Sequence, residues 1–279
     1  MEGARERYVT VNGLRIFVQE IGSGEPLLLL MGLGAAGDKW EANAAVYKEH
    51  FRCILIDNCG AGRSDKPERE SYSVAEMAET AVGVLDALGV ERAHLNGISM
   101  GGAIAQEIAI RHPERVRSLI LTSTFCRVTN TFRAAIETLR DLTGVIDPQT
   151  RKRLNQWMTF SQKTQNERPE FLTEMAAWDA AYPYPMPAYA YKAQCNACLA
   201  HDASDRLDRI QAPTLIAAGR CDLFVPLTVT EELHAGIAGS ELYLCENGGH
   251  VHEWEYLDDY NRATLDFLLA HREKQEAQT

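Results

Sequence analysis

A chain of 279 residues is slightly beyond the usual size of one compact core, so one large domain, or a domain carrying an insertion, is the first expectation. Hydrophobic residues at 46% and charged residues at 24% supply ample material for a core, and a net charge of −11 would repel phosphate backbones and anionic membrane surfaces. Nucleic acid and membrane are therefore excluded as expected partners. With no apolar leader region at the start and no run of about 18 apolar residues, we expect a cytoplasmic chain with disorder confined to its ends.

In chain order, YVTV and LRIFVQE are short runs rich in β-branched and aromatic residues, split by Asn12-Gly13, a strong hairpin signal. The runs at 26–32 and 52–57 are continuously apolar, as strands covered by helices on both faces should be. Helical patterns are expected at about 38–48 and at 74–88, where Val74, Met77, Ala78, Ala81, Val84, Leu85 and Leu88 recur at helical spacing. Next come a strand at 93–99, a helix from about 100 to 111 stopped near Pro113, and a strand at 116–124. The alternation resumes with strands at 214–219 and 240–246 and a final helix to about 270, ahead of the polar tail HREKQEAQT. Strands alternating with helices imply a largely parallel sheet wrapped by helices.

Between about 125 and 208 the alternation fails, and the segment reads as a helical insertion whose YPYPMP stretch (182–187) is a rigid connector. The seven cysteines (Cys53, Cys59, Cys126, Cys195, Cys198, Cys221, Cys245) are odd in number and scattered, which argues against a disulfide framework. Cys195 and Cys198 have CxxC spacing, but no second pair or histidine cluster would complete a metal site, so no metal is expected. Cys59 and Cys221 are expected to be small fillers, because neither has a visible histidine partner.

Gly97-Ile98-Ser99-Met100-Gly101 matches G-x-S-x-G at the end of an expected strand and the start of an expected helix. In such an elbow the serine is held on a strained turn, the flanking glycines prevent backbone clashes, and the helix N-terminus faces the oxygen that becomes negative during attack. A serine hydroxyl needs a base, and the base needs an orienting acid. Asp222 follows the strand at 214–219 and Gly248-Gly249-His250 follows that at 240–246, at strand ends where α/β sheets place ligands. The position after the strand at 116–124 offers Thr122-Ser123-Thr124 and no carboxylate, leaving Asp222 as the acid. Beside His250, His252 reads as a surface residue at a helix start.

These motifs resemble those of the α/β-hydrolase fold family over nearly the whole chain. Met31-Gly32-Leu33-Gly34 is similar to the family's loop after the third strand, Asp57-Asn58-Cys59-Gly60-Ala61-Gly62-Arg63-Ser64 to its glycine-rich loop after the fourth, and Ile210-Gln211-Ala212-Pro213 to its return into the sheet. The resemblance implies a mostly parallel eight-stranded sheet, a core of residues 1–124 and 209–279, and a helical cap of residues 125–208 inserted after the sixth strand. It also implies that Leu33 and Met100 donate backbone N–H groups to an oxyanion hole. Many relatives begin the oxyanion loop with His-Gly where this chain has Met31-Gly32, and carry Arg where it has Cys59, so the usual bracing of those loops is in question.

The reaction implied is cofactor-independent hydrolysis of a small ester or lactone through an acyl-enzyme, with Ser99, His250 and Asp222 as the catalytic set. Length and cap are similar to those of small bacterial carboxylesterases and 3-oxoadipate enol-lactonase-type enzymes. Hydrolysis of a C–C bond in vinylogous diketones is the alternative chemistry, and a slow small-ligand receptor the alternative class. Serine at position 99 argues against branches that need a carboxylate nucleophile. Trp157, Phe160, Phe171, Trp178 and Tyr182 are candidates to line a substrate pocket under the cap.

Overall fold

A computed structural model describes residues 1–273; the end of the polar tail, from 274 on, lies outside the described residues. Strands β1 (Arg5–Val11) and β2 (Leu14–Ile21) form the expected hairpin, with Asn12 and Gly13 at φ 51° and 80°, the pair of positive values a two-residue turn requires. Six more strands follow: β3 (Glu25–Leu30), β4 (Phe51–Ile56), β5 (Ala93–Ile98), β6 (Val116–Thr122), β7 (Thr214–Gly219) and β8 (Glu241–Cys245). The sheet order is β1-β2-β4-β3-β5-β6-β7-β8, antiparallel at β1, β2 and β4 and parallel from β4 onward.

The parallel strands are apolar because both faces are covered. In β3, Leu28 and Leu30 join a core layer with Val84 and Ile104 of α2 (Val74–Ala87) and α3 (Met100–Arg111). Leu27 and Leu29 join the opposite layer, with Tyr47 of α1 (Glu41–Tyr47) and the C-terminal helix residues Tyr260 and Phe267. The expected helix at 38–48 is split: a short 3-10 turn at Gly37–Trp40 precedes α1, and fully buried Trp40 marks the junction.

Between β6 and β7 lie five helices: α4 (Asn130–Leu142), α5 (Pro148–Thr159), α6 (Gln162–Glu167), α7 (Pro169–Ala181) and α8 (Ala188–Ala200). Helix α4 packs on α8, and both bury side chains in the α2/α3 core layer, among them Phe132, Ile136 and Cys198. The ends of this segment are pinned together by an isolated antiparallel bridge between Arg127 and Asp202 and by the Ala203 N–H donating to Cys126 O at 2.8 Å. After β7 come α9 (Leu227–Gly236), then β8, the short α10 (His252–Glu255) and α11 (Leu257–Ala270). All seven cysteines are free, and only Cys221 is exposed. No described helix is long and apolar enough to cross a membrane.

Candidate active site

Ser99 stands between β5 and α3 with φ 53° and ψ −118°, a left-handed conformation that costs a non-glycine residue about 1–3 kcal/mol. The neighbouring glycines are sterically required. A methyl group on Gly97 would stand 2.3 Å from the Gly101 carbonyl oxygen, and one on Gly101 would stand 2.1 Å from that of Leu30. The strained turn is pinned from β6: Ser99 N–H donates to Thr122 O at 2.9 Å, and Thr124 Oγ1 donates to Ser99 O at 2.6 Å.

Asp222 lies in the loop after β7 and His250 in the loop after β8, both buried, with His250 Nδ1 2.8 Å from Asp222 Oδ2. The other carboxylate oxygen accepts the Phe224 and Val225 N–H groups, each at 2.8 Å, so the acid is held in one orientation. The Phe224 ring packs edge-on against the imidazole at 5.0 Å. With Nδ1 engaged by the carboxylate, Nε2 is the ring nitrogen left for proton transfer, and Ser99 and His250 both line one cavity of about 770 Å³.

Leu33 lines the same cavity, whereas the Met100 side chain is buried in the core. Met100 is the first residue of α3, so its N–H has no acceptor within the helix. The bracing that Met31 and Cys59 leave in question comes from elsewhere. Asn58 Nδ2 donates to Met31 O at 2.9 Å. Fully buried Gln194, on α8, accepts the Gly34 N–H at 2.9 Å and donates to Cys59 O at 2.8 Å, tying the loops after β3 and β4 to the inserted helices. Cys59 itself is a buried filler whose thiol burial pushes up to about 11.

The histidine loop is tied down in the same way. His250 N–H donates to Thr159 O at 2.7 Å, and buried Glu255 accepts Gly249 N–H at 2.5 Å and Ser161 N–H at 2.8 Å. Sequence reasoning missed Gln194 and Glu255, since nothing local sets apart a glutamine in an alanine-rich helix or one acid among several in HEWEYLDD.

Of the aromatic candidates, Phe160, Trp178 and Tyr182 line the cavity, with Trp178 stacked on Tyr182 at 5.5 Å. Two others do not. Trp157 is 59% exposed on the outer side of α5, because Arg151, Asn155 and Gln156 occupy its cavity side. Phe171 packs behind Phe160 at 6.0 Å. The 182–187 stretch does more than connect: Tyr184, Pro185 and Met186 also line the cavity. His252 is a further correction. It is fully buried between Tyr243 and Tyr260, with Nδ1 3.2 Å from Ser123 Oγ, because α10 turns inward after the histidine loop. Burial, followed by the nearby His250, lowers its pKa to about 3.

Comparison with known proteins agrees with this architecture. The family model described as alpha/beta hydrolase fold matches residues 25–255, and the chain belongs to that family. The chain is 31% identical over 280 aligned positions to 2-hydroxy-6-oxo-6-phenylhexa-2,4-dienoate hydrolase of Burkholderia cepacia, covering 96% of this chain and 97% of the relative. Among solved structures it is similar to Est816, described as an N-acyl homoserine lactone degrading enzyme, with a TM-score of 0.79, 30% identity and coverage of 94% and 100%. It also shares its fold with the enol-lactonase from Burkholderia xenovorans LB400, with a TM-score of 0.85, 23% identity and coverage of 94% and 100%. The protein is a hydrolase acting on a small-molecule substrate.

Proposed function

We propose that the protein hydrolyses a small carboxylic ester or lactone through an acyl-enzyme, without a cofactor. The observation that carries this reading is the strained Ser99 on the same cavity as the His250–Asp222 pair, whose 2.8 Å contact directs the other imidazole nitrogen to proton transfer. Ser99 Oγ attacks the carbonyl carbon while His250 Nε2 takes its proton, and the Leu33 and Met100 N–H groups stabilise the resulting oxyanion. Collapse breaks the bond to the leaving alkoxide, which takes the proton from His250. Water, deprotonated by the same nitrogen, then attacks the acyl carbon, and the Ser99 oxygen leaves with the proton that His250 returns, which frees the carboxylic acid and restores the starting site.

The lactone half of the reading is supported by Est816, at 30% identity. A second reading, hydrolysis of a C–C bond in a vinylogous diketone, is favoured by the 31% identity to the dienoate hydrolase over almost the whole chain. The test is the initial rate on p-nitrophenyl esters from acetyl to dodecanoyl, on lactones and on a vinylogous diketone, for wild type and Ser99→Ala. Turnover of esters or lactones above that of the diketone, lowered about 10⁶-fold in kcat by Ser99→Ala, is expected. A diketone rate above every ester and lactone rate would transfer the assignment to C–C hydrolysis.

A further inference from the structure

The charge lining the cavity runs against that of the molecule. In a chain of net charge −11, the cavity side of α5 carries Arg151 and Lys152, four and five residues after Asp147, the N-terminal cap. Positive charge is disfavoured at that end of a helix, so helix stability does not account for the pair. Among the described residues no carboxylate forms an ion pair with either. Lys152 Nζ donates to the Ala176 carbonyl. The Arg151 guanidinium lies over the Tyr191 ring, 4.2 Å from its centroid, and Tyr191 in turn packs against Gly34 of the oxyanion loop. A guanidinium resting on an aromatic face is fixed in orientation and keeps N–H edges free for a planar, bidentate acceptor.

The remaining charges on the cavity wall do not compensate Arg151. Lys39 and Asp179 pair with each other, and Lys39 also lies over Trp178. That leaves Asp38, whose carboxyl burial pushes above its usual range. Met31, Leu139, Phe160, Met186 and Val251, which line the same cavity as Ser99 and Arg151, offer apolar contacts to a substrate that reaches both.

Building on the ester or lactone reading, we propose that Arg151 is a substrate-binding residue and that the substrate carries a carboxylate at the end of an apolar segment remote from the scissile carbonyl. The carboxylate pairs with Arg151 while the carbonyl lies at Ser99, and the charge selects acidic esters or lactones over neutral isosteres.

Binding and turnover are read separately. Ser99→Ala protein is titrated calorimetrically with the monomethyl esters of succinate, adipate and suberate, each against its neutral dimethyl ester. For at least one chain length the monoanion is expected to bind about tenfold or more tightly, a preference that weakens with salt. Adding Arg151→Gln should abolish the preference, and Arg151→Lys should keep part of it, which separates lost charge from lost folding. Equal or weaker binding of every monoanion, or a preference that survives Arg151→Gln in a folded protein, would overturn the proposal. Turnover of the same pairs by wild type tests the underlying reading. Selective anion binding without hydrolysis of either ester would count against the acyl-enzyme reading and leave the anion site standing.

Discussion

Asp222 presents one oxygen to His250 and gives the other to two backbone N–H groups, so its carboxylate cannot rotate without breaking three contacts. Asp222→Asn keeps the shape, but its amide NH₂ meets Nδ1 as a donor and favours the wrong imidazole tautomer. We expect kcat on a p-nitrophenyl ester to fall about 10⁴-fold with the melting temperature little changed. A variant with near wild-type kcat would show that His250 does not depend on this acid. The serine side has a comparable dependence on its glycines. Gly101→Ala places a methyl group 2.1 Å from the Leu30 carbonyl oxygen, so either α3 or β3 must move. We expect a loss of about 1–3 kcal/mol in urea unfolding, together with loss of hydrolase activity. This steric demand is why the elbow at Ser99 is legible in the sequence: a strained turn needs glycines at fixed offsets, and the positions of Asp222 and His250 follow from the ends of β7 and β8. His252 was misread because its burial depends on α10 turning between Tyr243 and Tyr260, a tertiary fact with no local trace.

The secondary elements were legible in proportion to how locally their burial is determined. Strands β3, β5 and β7 are buried along most or all of their length and read directly as apolar runs. Helices α5 and α7 turn one side to the cavity and leave the other exposed, and periodicity alone cannot say which side faces a cavity. Trp157 was misplaced for that reason. Helix α8 shows the consequence for function. Gln194 reaches across 160 residues of sequence to hold Gly34, beside Leu33, and across 135 to hold Cys59. Gln194→Met preserves length and apolar stem but removes both hydrogen bonds, leaving the Gly34 N–H and Cys59 carbonyl without them. We expect kcat to fall about tenfold to a hundredfold, as for loss of support behind an oxyanion donor, with KM changing much less. Measuring both constants on one ester tests this: a change confined to KM or to the melting temperature would make Gln194 structural only.

At the scale of the whole molecule, buried groups that cannot carry charge set the pH range of stability. His201, beside Phe125 and 3.7 Å from Glu107, has its pKa lowered to about 4 by burial, against a partial opposing pull from Glu107. The unfolded chain therefore binds a proton that the fold refuses, and this contribution to stability is present above about pH 6.5 and lost as pH falls towards about 4. Glu253 acts in the opposite sense. Both its carboxyl oxygens are buried without a hydrogen-bond partner, and burial, then Glu255 and Asp222, raises its pKa well above the ordinary value. The fold keeps the proton that the unfolded chain releases above about pH 4.5, so this contribution is present below that pH and declines as pH rises. Glu253→Gln removes the titration while keeping the shape. Relative to wild type, its urea midpoint should rise as the pH increases above about 4.5, with a difference in stability growing by about 1.4 kcal/mol per pH unit at most until the folded carboxyl ionises. His201→Gln should reduce the loss of stability between pH 6.5 and 4.5 by a similar slope in the other direction. A Glu253→Gln difference that stays flat with pH would mean that this carboxyl ionises in the fold, with water or a rearranged neighbour supplying the partner that its two oxygens lack.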